Sequence, residues 1–128
     1  MTDLTVSGRF DIDIAPAGAL LPGTGRFDFT KTWTGGIEGT SAGVMLSAGD
    51  PASGKAGYVA IEVFEGSIDD RTGTLTFQQL GSMVGGAEVL QYEVIPGSGT
   101  GNLTGLTGEL VLDPANGDHK VALRLHLA

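Results

Sequence analysis

Glu62 is the residue of this sequence with the clearest potential for chemistry. It stands in the run 57–67, which is apolar on both faces. Residues in a strand alternate between the two faces, so Glu62 shares its face with Tyr58 and Phe64. Burying a carboxylate among such groups is costly unless it is paired or protonated. Glu62 is therefore a candidate general acid or base, with a structural alternative in which it fixes a neighbouring strand.

Lys31 is a candidate partner for that carboxylate. It shares a strand face with Phe29 and Trp33. From this position its ammonium could enter the interior and pair with Glu62. Alternatively, Lys31 lies near the mouth of a barrel, where its aliphatic stem covers apolar surface and its ammonium reaches water.

Further polar and aromatic side chains could line a binding site. Gln78 and Gln79 are neighbours and point to opposite faces, so only one of them can face the interior. We expect Gln78 to orient a ligand carbonyl or to hold Glu62 in place, and an amide on the sheet surface is the alternative. The candidate pocket walls, for each of which plain core packing is the alternative, are Trp33, Tyr58, Phe64 and Tyr92.

No cofactor or metal site is predicted. His119 and His126 are separated by an odd number of positions, so they point to opposite faces of the last strand and cannot share a metal ion. The stretch 97–101 is rich in glycine, but no lysine follows it at the required position and no helix is expected to open after it, so it lacks the donors of a phosphate cradle. The chain has no cysteine, which excludes disulfides, thiol nucleophiles and thiolate metal sites.

The charge balance restricts the expected partners. The formal net charge is -8 over 128 residues, which disfavours nucleic acid and anionic membranes. We expect the partner to be a small apolar organic molecule. The run 57–67 has an apolar outer face to cover, which either a second copy in a homo-oligomer or the apolar loop Ala15 to Gly25 of the same chain could do. The sequence shows neither a membrane-spanning run nor a signal-peptide pattern, which favours a cytoplasmic location.

The elements that must position these residues are strands. Apolar residues recur with period two through about eight successive runs, and turn-forming residues separate the runs. The 22 glycines suit the bends and bulges of a curved sheet. We predict one all-β domain over residues 1–128, a small closed antiparallel up-and-down barrel of about eight strands, lipocalin-like in outline. A two-sheet sandwich is the alternative. The longest predicted loop is Ala15 to Gly25, and the seventh predicted strand is Thr100 to Leu112.

Several motifs resemble those of a known family. They are Gly8-Arg9-Phe10, Thr32-Trp33-Thr34-Gly35, Ile37-Glu38-Gly39-Thr40, Tyr58-Val59-Ala60-Ile61-Glu62 and, most specifically, Pro96-Gly97-Ser98-Gly99-Thr100-Gly101. Over nearly its whole length the chain resembles an uncharacterised family of small bacterial proteins, grouped by fold with the allene-oxide-cyclase-like barrels. Two departures fall in the expected lumen: Gln79 stands where the family usually has His, and Tyr92 where it commonly has Trp. The resemblance implies an allene-oxide-cyclase-like barrel and, by analogy with the cyclases of that fold, a hydrophobic lumen that guides a reactive intermediate.

Three functions are compatible with such a barrel. The first is a cofactor-independent cyclase or isomerase that acts on an apolar or polyketide-like molecule in the lumen, with Glu62 as acid or base. The second is a lipocalin-like carrier without turnover. The third is a packed barrel with a structural or interaction role. A cavity of at least roughly 300 Å³ would favour the first two, and a lumen filled by aromatic side chains would favour the third.

Overall fold

The computed structural model describes residues 2–113 and 119–127, which fold mainly into eight β-strands. These are β1 (Thr2–Ala17), β2 (Thr24–Gly35), β3 (Ile37–Asp50), β4 (Lys55–Ile68), β5 (Arg71–Val84), β6 (Ala87–Val94), β7 (Thr107–Asp113) and β8 (Lys120–Leu127). Each strand pairs antiparallel with the next, and β8 pairs with β1, so the sheet closes. The predicted eight-stranded antiparallel barrel is confirmed, and its closure excludes the two-sheet sandwich. No helix in these residues is long and apolar enough to cross a membrane.

The two faces of the barrel follow the period-two pattern of the sequence. Phe29 and Trp33 of β2 face inward and are buried, as are Leu123 and Leu125 of β8, whereas Arg124 between the latter two is exposed. Full burial of one such apolar side chain stabilises the fold by about 1.5–3 kcal/mol. The inward positions of all eight strands therefore form one continuous core.

One end of the barrel is closed by the segment 95–106, which connects β6 to β7. Its single 3-10 turn, Gly101–Leu103, starts at a glycine with φ of 58°. Leu103 and Leu106 are 0% and 5% exposed and cover the core from this side. The predicted strand from Thr100 to Leu112 is therefore wrong over 100–106, because the core needs an apolar cover here and β7 begins only at Thr107.

The opposite end, which we call the mouth, lies at the β1–β2, β3–β4 and β5–β6 hairpins. The predicted loop Ala15 to Gly25 is shorter in the structure, since β1 continues to Ala17 and β2 begins at Thr24. Two leucines of this connection, Leu20 and Leu21, are exposed. Residues 113–118, whose sequence predicts a turn before the last strand, lie largely outside the described residues.

Two glycines bring β3 and β4 into close contact near the closed end. Gly39 lies opposite Gly66, and their φ angles are 148° and 156°. A Cβ on Gly66 would collide with the carbonyl oxygen of Glu38, and one on Gly39 with that of Glu65. The absence of side chains at this pair thus permits the backbones to bend together.

Candidate functional site: a buried ionic cluster below the mouth

A buried ionic cluster lies inside the barrel with Glu62 at its centre. Glu62 is 1% exposed. Its Oε1 accepts hydrogen bonds from Lys31 Nζ at 2.9 Å and from the Tyr92 hydroxyl at 2.5 Å, and its Oε2 accepts one from the Ser41 hydroxyl at 2.6 Å. These donors lie on β2, β6 and β3, so one carboxylate on β4 connects strands that are distant in sequence.

Hydrogen bonds extend this cluster in two directions. The Trp33 indole Nε1 donates to Ser41 Oγ at 3.0 Å, which leaves the Ser41 proton directed at Glu62. On the other side, Gln79 Nε2 donates to Glu62 Oε1 at 3.4 Å, and the Tyr58 hydroxyl donates to Gln79 Oε1 at 2.9 Å. A continuous chain of hydrogen bonds therefore runs from Glu62 to Tyr58.

The Lys31 ammonium is held by aromatic rings as well as by the carboxylate. Lys31 is 4% exposed, and its Nζ lies 4.2 Å from the centre of the Phe10 ring and 5.3 Å from that of Phe29. Cations are attracted to the faces of aromatic rings, most strongly where water is excluded. Burial lowers the pKa of Lys31 below its ordinary value, and the carboxylate of Glu62 opposes that shift. The predicted contact between Lys31 and Glu62 is present, and the alternative with the ammonium in water is not adopted.

Tyr92 is a hydrogen-bond donor that stays protonated. Burial raises its pKa well above the ordinary value, and the nearby charge of Glu62 raises it further. The Tyr92 oxygen also accepts a hydrogen bond from Lys31 Nζ at 3.0 Å. Among the described residues, every buried side-chain nitrogen and oxygen has a hydrogen-bond partner. The cluster is thus complete without an added ligand.

A cavity of about 350 Å³ opens at the mouth, above this cluster. Tyr58, Met83, Glu88, Leu90 and Leu112 contribute side chains to its wall, as do residues of the hairpin between β3 and β4. The Tyr58 ring lies against Gly81, where a Cβ would collide with it. Glycine at this position therefore leaves space for an aromatic wall.

Tyr58 joins the cavity to the buried cluster. Its ring lines the cavity, and its hydroxyl is the last member of the chain that begins at Glu62. Burial raises the pKa of Tyr58, and the negative charges of Glu88 and Glu62 add to the shift. The phenol is therefore neutral at physiological pH and can act as a hydrogen-bonding group towards a molecule in the cavity.

The structure brings together most of the residues singled out in the sequence. Glu62 and Lys31 form the centre of the cluster. Of the four expected pocket walls, Tyr58 lines the cavity, whereas Trp33 and Tyr92 are 1% and 3% exposed, belong to the cluster and do not line it. Phe64 is fully buried and packs against Trp33, with ring centres 6.2 Å apart, so it belongs to the core below the cavity.

The expected position of Gln78 is wrong. Its side chain lies on the outer face of β5, where Nε2 donates to Glu93 at 2.8 Å. Gln79 faces inward instead, because it has the same parity along β5 as the buried Leu75 and Phe77. That parity was readable in the sequence and would have identified Gln79.

Two further residues of the site, Ser41 and Glu88, were not predicted from the sequence. Ser41 shares the parity of buried Ile37 on β3, but a serine between Thr40 and Ala42 carries no distinctive signal. Glu88 precedes Leu90 and Tyr92 at alternate positions of β6 and so points to the inner side at the mouth. In residues 2–113 and 119–127, no three His, Asp or Glu side chains are grouped to hold a metal ion.

Comparisons with known proteins yield one family and a close structural neighbour. A family described as "Protein of unknown function (DUF3224)" matches residues 6–125 of the chain. The chain is similar to a protein of Shewanella oneidensis MR-1, whose crystal structure is described as that of a protein with unknown function from the DUF3224 family. The two sequences are 37% identical, the match covers 99% of this chain and 98% of that chain, and the TM-score is 0.91. No curated protein matches the chain.

Proposed function

The chain belongs to the DUF3224 family of proteins of unknown function, as its motifs predicted, and we propose that it binds a small, mainly apolar organic molecule in the mouth of its barrel. The allene-oxide-cyclase-like grouping of this barrel stays a prediction.

The mouth cavity is the observation that supports this proposal. Its volume of about 350 Å³ falls in the range of small-molecule pockets, roughly 300–1,000 Å³. Its wall is mainly apolar, with Met83, Leu90 and Leu112 beside the half-buried Tyr58. Apolar walls with few polar groups are typical of ligand sites, in which the polar groups fix the orientation of the ligand.

Carriage without turnover is the form of this function that the site supports best. Glu62 already accepts hydrogen bonds from Lys31, Ser41 and Tyr92 and is 1% exposed. A general acid or base must come within hydrogen-bond reach of the proton that it transfers. In this closed arrangement Glu62 instead anchors Gln79, which in turn orients Tyr58.

A cofactor-independent cyclase or isomerase is the second candidate. It is favoured by the hydrogen-bonded chain that links Glu62 to the cavity through Gln79 and Tyr58. In this case the substrate would be an apolar or polyketide-like molecule, and Glu62 would act as the acid or base after a rearrangement that exposes it. Turnover of a bound molecule that disappears in a folded Glu62→Gln variant, while binding persists, would favour this candidate over a carrier.

Filling the mouth tests the proposed binding. A neutral apolar dye, N-phenyl-1-naphthylamine, should bind the wild-type protein with increased fluorescence, and calorimetry should give a single site. Met83→Trp places a large ring in the cavity and should abolish binding. Val84→Trp is the matched control, because Val84 is the next residue of β5 and is 72% exposed. Equal binding by wild type and Met83→Trp would contradict a site in the mouth.

We also propose that two copies of the chain associate through the outer face of β3, β4 and β5. Val59, Ile61, Val63 and Leu80 of this face are 49%, 52%, 53% and 54% exposed. Copies that each carry a net charge of -8 repel one another, and they approach with least repulsion where both surfaces lack charge. A second copy of this chain is therefore the proposed occupant of the patch.

A further inference from the structure

We infer that the molecule bound in the mouth carries a hydrogen-bond donor on an apolar body and that an alkylammonium group is the preferred donor. This inference rests on the proposed binding function and adds the chemical class of the ligand. It follows from the direction of the hydrogen bonds that reach the cavity and from the charge on the cavity wall.

The direction of the hydrogen bonds is determined at Glu62. Lys31 Nζ lies 2.9 Å from its carboxylate, and an ionised carboxylate only accepts hydrogen bonds. Gln79 must therefore turn its NH2 group towards Glu62, which leaves its carbonyl oxygen facing Tyr58. That oxygen accepts the phenolic proton at 2.9 Å.

The consequence at the cavity is that Tyr58 presents an acceptor. Its single proton is used by Gln79, and within the described ranges no donor bonds to the Tyr58 oxygen. A phenol oxygen retains lone pairs after it has donated its proton. A ligand that meets Tyr58 in this position must therefore supply an N–H or O–H group of its own.

Charge favours a cation as that donor. Glu88 is the one charged side chain among the described residues of the cavity wall, and no lysine or arginine contributes to this part of the wall. The negative charge of Glu88 is close enough to raise the pKa of Tyr58. An ammonium group between the Glu88 carboxylate and the Tyr58 oxygen would meet two acceptors, and the apolar wall would take its hydrocarbon part. A carboxylate in the same place would meet no cation.

Three probes of similar size test the inference: 2-phenylethylammonium, 2-phenylethanol and 3-phenylpropanoate. Calorimetry at pH 7 should rank the ammonium above the alcohol, and the alcohol above the carboxylate. Because Glu88 is exposed to solvent, its attraction should strengthen ammonium binding only about two- to fivefold. Glu88→Gln should make the ammonium and the alcohol bind equally, whereas Glu93→Gln, on the outer face of β6, should leave the ranking unchanged.

A second variant tests the acceptor. Tyr58→Phe removes the oxygen and should weaken both the ammonium and the alcohol by about 2- to 10-fold, with no loss for the carboxylate. Equal binding of all three probes, sensitive to Met83→Trp, would overturn the donor requirement and leave mouth binding intact. Stronger binding of the carboxylate probe than of the other two would likewise overturn the donor requirement and leave binding in the mouth intact. Failure of all three probes to bind a protein that binds the naphthylamine dye would overturn the donor requirement alone. Failure of the dye as well, or binding unaffected by Met83→Trp, would overturn the proposed function itself.

Discussion

The carboxylate of Glu62 joins five neighbouring strands through side chains alone. It lies on β4 and accepts hydrogen bonds from Lys31 of β2, Ser41 of β3, Gln79 of β5 and Tyr92 of β6. Removing two charges from water is expensive, so such a pair contributes little net stability over an apolar replacement. Breaking it is costly, because the remaining charge is left buried without a partner.

Removing one member of the ion pair should therefore destabilise the fold strongly. Glu62→Gln or Lys31→Met is expected to lower the free energy of unfolding by about 3–5 kcal/mol. The double variant should lose much less than the sum of the two, since it leaves no unpaired charge. Urea unfolding monitored by the fluorescence of Trp33 would measure all three.

A surface ion pair provides the control for that comparison. Arg26 Nε lies 3.1 Å from Asp28, and their side chains are 31% and 53% exposed. Asp28→Asn should cost less than about 1 kcal/mol. A Glu62→Gln variant no less stable than Asp28→Asn would show that the buried pair does not hold the strands.

Sequence patterns singled out Glu62, Lys31, Trp33 and Tyr92 but neither Ser41 nor the inward position of Gln79. Period two put Glu62 and Lys31 on faces that could be internal, and the structure places them 2.9 Å apart. The choice between Gln78 and Gln79 could have been made from the sequence, because Gln79 has the parity of the apolar Leu75 and Phe77 on β5. The role of Ser41 arises only when β3 and β4 are paired, because serine itself indicates neither burial nor a partner.

At the scale of the elements, the close approach of Gly39 and Gly66 requires a residue without a Cβ at position 66 of β4. Gly66 has a φ of 156°, and a Cβ there would overlap the carbonyl oxygen of Glu38. Gly66→Ala should lower the free energy of unfolding by roughly 3 kcal/mol, since backbone strain and overlap both contribute. Thermal or urea unfolding would measure the loss.

Gly57 of the same strand is the matched control for Gly66. A Cβ on Gly57 would meet its nearest atom, the carbonyl oxygen of Gly81, at 3.4 Å. Gly57→Ala should change the free energy of unfolding by less than about 1 kcal/mol. Similar losses for the two variants would mean that the close approach of β3 and β4 is not the reason for Gly66.

His126 connects three strands at the outer surface and should make their association depend on pH. Its Nδ1 lies 3.0 Å from Asp3 of β1 and its Nε2 2.9 Å from Glu109 of β7. Hydrogen bonds to Asp3, and then to Glu109, raise the pKa of His126 above its ordinary value. A raised pKa in the folded state means that the protonated histidine stabilises the fold.

This contribution should be complete below about pH 6.5, the ordinary pKa of histidine, and should disappear as the pH rises through the raised value. The wild-type protein should therefore lose stability relative to His126→Gln as the pH increases from about 6 to 8. Urea unfolding at several pH values would show this difference. His119→Gln, which retains His126, should follow the wild type, and parallel curves for wild type and His126→Gln would refute the link.

Most elements were predictable from the alternation of apolar residues, and the exception has a physical reason. The segment 100–106 leads directly into the alternating residues of β7, but its own apolar residues, Leu103 and Leu106, are three positions apart and do not follow period two. Its leucines are needed to cover the end of the core, and positive φ at Gly101 and Gly105 turns the chain there. The break in period two was readable in the sequence, whereas the need for an apolar cover at this end follows only from the closed barrel.

At the scale of the whole molecule, the apolar patch of Val59, Ile61, Val63 and Leu80 on the outer face should determine the oligomeric state. Ile61→Lys introduces a charge at the patch and should convert the proposed dimer to a monomer, which light scattering after size exclusion would detect. Val111→Lys is the control, since Val111 is 62% exposed on the outer face of β7. A wild-type protein that is monomeric at high concentration would contradict the proposed association.

Because the segment 95–106 closes one end of the barrel, the described residues leave the barrel a single opening. Leu103 and Leu106 seal one end, so among the described residues the cavity opens only towards the hairpins at the mouth. A ligand bound in this cavity would have to enter and leave by the same route, and a second ligand could not bind until the first had left. A barrel with one opening is better suited to storing a ligand and transferring it to a partner than to conducting it from one end to the other. A partner protein that takes up the ligand would have to bind at the β1–β2, β3–β4 and β5–β6 hairpins.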